Sequence, residues 1–200
     1  MLEIKCFTFG PFGTNTYVVK DEQGKVLLID PACFTPYEEQ LLLNYFHGQS
    51  SDRPSCIIAT HGHLDHLWGA PWAYKQWNLP VLIHEADIPM AEAMQGQYDL
   101  FGVNRKAEPF AIQPLSTERL PFTVIHAPGH TPGSVCLYWP KEKVLLSGDT
   151  LFQMGYGRTD LPGGDMGQLI DSLGQLFTLP KDVRVYPGHG DFTTIGDECR

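Results

Sequence analysis

Thr60-His61-Gly62-His63-Leu64-Asp65-His66 puts three imidazoles and one carboxylate into six consecutive positions. Neutral imidazole and carboxylate are the donors expected for zinc, iron or manganese, and the absence of cysteine from the set argues against a purely structural zinc. Three later residues extend it: His130 in Pro-Gly-His-Thr-Pro-Gly, Asp149 in Ser-Gly-Asp-Thr, and His189 in Pro-Gly-His-Gly. Seven candidate ligands thus sit in four short segments, each flanked by turn-forming glycines or prolines. His61 and His63 are two apart, so in an extended segment both rings point to one side. Asp65 and His66 follow where the chain bends towards a helix, so one short loop can address two metals. Asp149 has two carboxylate oxygens and therefore the chemistry to bridge two ions, which a histidine lacks.

A histidine standing alone is more often structural than ligating, and His47, His84 and His126 are read that way. His47 ends a helix and His126 lies within a strand. Asp30, directly after Leu-Ile, reads first as a cap and second as an outer partner of a ligating histidine. The Met and Trp residues read as core and loop packing.

Strands and helices alternate around these segments. Leu2 to Phe9 and Asn15 to Lys20 read as strands across a Gly10-Pro11-Phe12-Gly13 turn. Val26 to Ile29 follows a polar turn as a short buried strand, so the opening is a β-meander. Thr35-Pro36 with Glu38 and Glu39 starts a helix with apolar positions at Leu42, Leu43 and Phe46. Residues 48–54 read as a loop. Cys56 to Ala59 is a strand with the histidine cluster at its end, and a helix follows from Leu67 to Trp77, the usual placement of sites at the carboxyl ends of strands in α/β proteins. Val81 to Ile83 reads as a strand and Glu85 to Met94 as a helix despite Pro89. Residues 96–119 have no clean period and read as a loop over one face. Phe122 to His126, Val135 to Trp139 and Val144 to Leu146 are strands, Asp165 caps a helix running to Phe177, and Val183 to Tyr186 leads to His189.

Two hundred residues suit a single domain spanning 1–200, long enough to bury a large core without staples. An apolar fraction of 42% with 18% charged residues belongs to an ordinary globular chain. The net charge of −9 argues against binding nucleic acid or an anionic membrane surface, while a small anion remains compatible with a locally positive site. Five scattered cysteines, odd in number and without a Cys-x-x-Cys pair, fit a reducing cytoplasm rather than a disulfide framework. The first twenty residues lack the pattern of a secretory leader, and no stretch approaches a membrane span. The oligomeric state is not readable from these features.

THGHLDH with the later Pro-Gly-His, Gly-Asp-Thr and Pro-Gly-His resembles the metallo-β-lactamase superfamily over nearly the whole chain. Within it, Gly148-Asp149-Thr150-Leu151-Phe152 and Gly157-Arg158-Thr159-Asp160-Leu161-Pro162-Gly163-Gly164-Asp165 are similar to the glyoxalase II-like hydrolases, most of all their short bacterial form. The resemblance implies an α/β (α+β) fold, the four-layer αββα metallo-β-lactamase sandwich, with a binuclear centre at one edge of the sheets. It implies His61, His63 and His130 on one metal, Asp65, His66 and His189 on the other, and Asp149 between them. The two divalent ions are expected to be Zn2+, with iron or manganese as alternatives. The implied reaction is hydrolysis of thioesters such as S-lactoylglutathione by a metal-bridging hydroxide. Asp65 would be the catalytic group that orients the hydroxide, and Arg158 and Tyr156 the contacts to a small anionic substrate.

Glyoxalase II proper carries a helical domain after its last ligand histidine, where this chain has eleven residues, and an aromatic residue where Thr159 and Asp160 stand. Glutathione recognition is therefore expected to suffer while hydrolysis survives. True β-lactamases of this fold lack the bridging aspartate, so Asp149 points away from that activity. Persulfide dioxygenases of the superfamily are also similar at Gly157-Arg158-Thr159-Asp160 and supply the alternative, one iron on His61, His130 and Asp149. A non-catalytic metal-binding module is the remaining class, and nuclease members are disfavoured by the lack of a basic surface.

Overall fold

A computed structural model describes residues 2–48, 53–116 and 120–199, in two compact units, residues 1–115 and 116–200. Residues 49–52 of the expected 48–54 loop and 117–119 of the expected 96–119 loop lie outside the described residues.

The first unit is built on a six-stranded sheet whose strands follow sequence order: β1 (Glu3–Phe9), β2 (Thr14–Lys20), β3 (Val26–Ile29), β4 (Cys56–Ile58), β5 (Val81–Ile83) and β6 (Ile112–Pro114). The first three pair antiparallel, as the expected meander, and β3 to β6 run parallel. Val-Leu-Leu-Ile of β3 is buried at every position, as in a strand covered on both faces. Each such side chain contributes roughly 1.5–3 kcal/mol on burial.

Helix α1 (Pro36–His47) begins as its sequence prescribes. Thr35 and Glu38 form a capping box, Pro36 occupies the first turn, and Leu42 and Phe46 are buried. The helix expected over 67–77 is two pieces, α2 (Leu64–Leu67) and α3 (Ala70–Trp77), so Asp65 and His66 lie inside α2 rather than before it. Pro71 lacks the N–H that would have bonded back to Leu67, and Gly69 donates to the Pro31 carbonyl at 2.7 Å. A Cβ on Gly69 would stand 2.9 Å from both the Cys33 nitrogen and the Pro31 carbonyl oxygen, so the chain can pass there only as glycine.

The helix expected over 85–94 is likewise broken, into a 3-10 turn at Glu85–Asp87 and α4 (Ile88–Glu92). The stretch expected to be a loop contains most of α5 (Met94–Leu100) and all of β6. Only Met94 and Tyr98 of α5 are buried, too few to register as a period, and β6 is three residues long with two exposed.

The second unit has a five-stranded sheet ordered β13-β12-β9-β8-β7, from β7 (Thr123–His126), β8 (Val135–Trp139), β9 (Val144–Gly148), β12 (Arg184–Pro187) and β13 (Thr193–Thr194). Strands β9 and β12 pair in parallel and the rest antiparallel. A small hairpin, β10 (Leu151–Phe152) with β11 (Gly155–Tyr156), follows β9. Asp165 caps α6 (Met166–Leu176) as expected, accepting from the Gln168 N–H at 3.0 Å, and Leu169, Leu173 and Leu176 enter the core with Ile125, Leu145 and Val185. The chain closes with α7 (Ile195–Glu198). The hairpin, β13 and α7 escaped the sequence reading because two-residue strands and a one-turn helix carry no period. No helix among the described residues is long and apolar enough to cross a membrane.

Candidate metal centre

Four of the seven candidate ligands stand in the first unit, at the carboxyl end of β4. All four are buried: His61 1%, His63 7%, Asp65 7% and His66 0% exposed. Nε2 of His61 and Nδ1 of His63 face each other at 3.1 Å with the rings edge to face, a spacing at which two lone pairs converge on one cation. His66 Nε2 lies 3.5 Å from Asp65 Oδ2, and ligand atoms of His61 and His66 lie within 4.8 Å of each other.

Asp30 orders two of these rings at once. It is fully buried and held at φ 51°, in the left-handed region where short polar side chains are tolerated. His66 Nδ1 donates to its Oδ2 at 3.0 Å. Thr60 donates its N–H to Oδ1 at 2.7 Å and its hydroxyl to Oδ2 at 2.8 Å. The single hydroxyl hydrogen of Thr60 is thereby used, so its oxygen accepts from His61 Nδ1 at 3.1 Å. Both imidazoles are left in the tautomer whose Nε2 carries a lone pair, the usual arrangement around a metal. Of the two roles weighed for Asp30, the structure has the partner of a candidate ligand histidine.

Strand β2 supports the same cluster. Thr14 and Thr16, two apart and on one face, donate their hydroxyls to Asp65 Oδ2 at 2.7 Å and to the Asp30 carbonyl at 2.6 Å. The Asp65 carboxylate is therefore held in orientation by a strand more than forty positions earlier in the chain. Sequence reasoning gave these threonines no role; their i, i+2 spacing after Gly13 was the one signal available. It also missed Asp87 and Gln97, which bond the backbone of the histidine loop.

The second unit brings the other three together. Asp149 follows Gly148, whose φ of 51° turns the chain at the end of β9. Its Oδ2 lies 3.5 Å from His130 Nε2 and 3.4 Å from His189 Nε2, so one carboxylate oxygen faces both ring nitrogens. His130 and Asp149 are buried, and the His189 side chain is 27% exposed. His130 Nδ1 donates to the backbone carbonyl of Arg158 at 2.7 Å, which again leaves Nε2 with the lone pair. Gly157 makes that contact feasible: a Cβ there would collide with the Asp149 carbonyl and stand 3.0 Å from His130 Nδ1.

The two candidate substrate contacts are on the surface of this unit. The Arg158 guanidinium forms a bidentate pair with Asp160, both distances 2.7 Å, and holds that carboxyl at a pKa of about 2. Tyr156 ends the hairpin with its side chain 54% exposed. The three histidines read as structural are so placed: His47 in the last turn of α1, His84 accepting from the Ala86 N–H at 3.3 Å, and His126 bonding the Pro132 carbonyl at 2.9 Å.

The donor set fits divalent metal: imidazoles, with His61, His66 and His130 each hydrogen-bonded through Nδ1, together with buried carboxylates and no thiolate. The sequence profile of the metallo-β-lactamase superfamily matches residues 9–189. The chain is 30% identical to hydroxyacylglutathione hydrolase GloC of Haemophilus influenzae, covering 100% of this chain and 96% of that protein. Among solved structures, TTHA1623 in a di-iron-bound form superposes with a TM-score of 0.88 at 38% identity, covering 98% of this chain and 97% of that one. The BLEG-1 B3 metallo-β-lactamase gives 0.83 at 33% identity, with 98% and 96% covered. The fold class is thus the αββα metallo-β-lactamase fold expected from the sequence, its histidine and aspartate clusters suit divalent metal, and this chain belongs to the metallo-β-lactamase superfamily, as an enzyme of its metallo-hydrolase kind.

Proposed function

We propose that this protein hydrolyses thioesters in the manner of glyoxalase II, taking small anionic S-acyl thiols of which S-lactoylglutathione is the model. In this reading the two half-sets complete one binuclear centre, with His61, His63 and His130 for one ion, Asp65, His66 and His189 for the other, and Asp149 shared. The observation that carries it is the Asp149 oxygen lying within 3.5 Å of both His130 Nε2 and His189 Nε2, which supports a carboxylate shared between ions. The likeness to GloC along its full length supports a glutathione thioester as substrate. Zinc remains the first expectation, and the di-iron form of TTHA1623 makes iron a strong second.

Divalent ions in this centre supply Lewis acidity and lower the pKa of a water from about 15.7 to about 7. Asp65, its Oδ2 anchored by Thr14, orients the attacking water. Asp30 and the Arg158 carbonyl hold His66, His61 and His130 as lone-pair donors throughout. In the overall reaction the water oxygen bonds to the acyl carbon, the C–S bond breaks, and the thiolate leaves without needing a strong acid. For Arg158 to bind a substrate carboxylate it must exchange Asp160 for that partner, an exchange of one bidentate pair for another.

The test is a parallel assay of one preparation of known metal content. Thiol release from S-lactoylglutathione, oxygen uptake with glutathione persulfide, and ring opening of a cephalosporin are measured together. Thiol release as the dominant activity, with two ions per chain by elemental analysis, is the expected result. Oxygen uptake by the iron form without thiol release would replace this reading with the dioxygenase, and dominant cephalosporin hydrolysis would replace it with the activity named for BLEG-1.

A further inference from the structure

We propose that Gln97 of α5, working with Asp87, is a positioning residue that holds His61-Gly62-His63 in its metal-presenting shape; the inference rests on that segment binding metal. The segment lies between the end of β4 at Ile58 and the start of α2 at Leu64, outside both regular hydrogen-bonding patterns. Buried peptide groups in such a place need side-chain partners. Asp87, fully buried, accepts the Gly62 N–H on Oδ2 at 2.8 Å. Gln97 donates from Nε2 to the Gly62 carbonyl at 2.9 Å, and its Oε1 accepts the Leu64 N–H at 2.9 Å. The same Nε2 donates to the Met90 carbonyl at 2.9 Å, tying the loop to α4.

One primary amide therefore meets a donor and an acceptor on the ligand loop, a pairing that neither a carboxylate nor an alkyl chain reproduces. Both peptide groups of the residue between the two histidines are held. A Cβ on Gly62 would stand 3.1 Å from the Asp87 carbonyl oxygen and 3.1 Å from Met90 Cβ, so loop and clamp are in direct contact. Rotation of the Gly62 peptides would swing the His61 and His63 rings apart and lose their 3.1 Å spacing. The clamp sets the bite of the two imidazoles before an ion arrives.

The experiment measures Zn2+ dissociation constants of the full chain by competition with a chromophoric chelator, alongside thermal midpoints of the metal-free forms. Gln97→Leu is compared with Gln95→Leu on the same helix. Gln95 bonds Asp99 and the Ala107 N–H but not the ligand loop, so its loss reports the cost of loosening α5 alone. Gln97→Leu is expected to weaken Zn2+ binding about tenfold or more, and Gln95→Leu by less than about twofold. If Gln97→Leu does not fold, Gln97→Glu serves, because it keeps an acceptor for Leu64 and turns an oxygen towards the Gly62 and Met90 carbonyls. Unchanged affinity in the Gln97 variants, or equal losses from Gln95→Leu and Gln97→Leu, would overturn the clamp alone. A parent protein that binds no Zn2+ would overturn the metal reading and the clamp together.

Discussion

Asp30 illustrates how one buried carboxylate can govern two candidate ligands. Through His66 directly and His61 by way of the Thr60 hydroxyl, it decides which ring nitrogen is protonated. Asp30→Asn nearly preserves shape yet replaces an acceptor by a donor on one side. With that NH2 facing His66, Nδ1 becomes the acceptor, and the proton moves to the nitrogen needed for metal. Chelator competition should register a loss of about ten- to a hundredfold in metal affinity. Asp149→Ala removes the shared oxygen itself and should lower metal content and reduce kcat by at least about a hundredfold. Full metal content with a near-parental rate in Asp149→Ala would refute the bridging role.

Helix α1 and the Gly157 turn make opposite demands on substitution. The Thr35 and Glu38 capping box is far in sequence from every ligand, so Thr35→Ala should cost about 1 kcal/mol of stability, read as a lower denaturant midpoint with unchanged slope. Its effect on metal affinity should be nil. Gly157→Ala, by contrast, drives a methyl group into the Asp149 carbonyl and against His130 Nδ1. Metal affinity should fall in that variant even where the folded state survives, because the Arg158 carbonyl can no longer reach His130. A Gly157→Ala protein with parental metal affinity would show that the turn has room to relax.

For the molecule as a whole, a joint centre predicts that one titration reports in both units. Hydrogen exchange should slow around residues 61–66 and around His130, Asp149 and His189 over the same range of added Zn2+, and saturation at about a hundred times Kd should add about 2.7 kcal/mol of stability per ion bound. Protection confined to one segment would count against the single centre. Thiol labelling gives an independent check on the cores. Cys33 and Cys136 are buried, and burial pushes both thiols up, Cys136 to about 12. The thiolate is the reactive form, so the raised Cys33 and Cys136 thiols are poorly reactive near pH 8. Exposed Cys199 should label readily, Cys6 more slowly because burial raises its thiol too, and Cys33 and Cys136 only on unfolding.

The candidate ligands and the superfamily were legible in the sequence because metal binding needs particular donor atoms. Such residues stand out when THGHLDH crowds four of them into six positions. The strands β1 to β5 and the starts of α1 and α6 were legible for a related reason, since apolar runs, capping residues and proline act locally. What only the tertiary structure decided is how the donors are held. Thr14 reaching Asp65, Asp30 reaching His66, and Gln97 reaching Gly62 span 51, 36 and 35 positions. A hydrogen bond over such a separation leaves no period or spacing in the chain, because its partners are brought together by the sheet and helices between them. Pro71 marked the break after α2 locally, but the close approach of the β3–α1 loop that leaves room only for glycine at position 69 was hidden likewise.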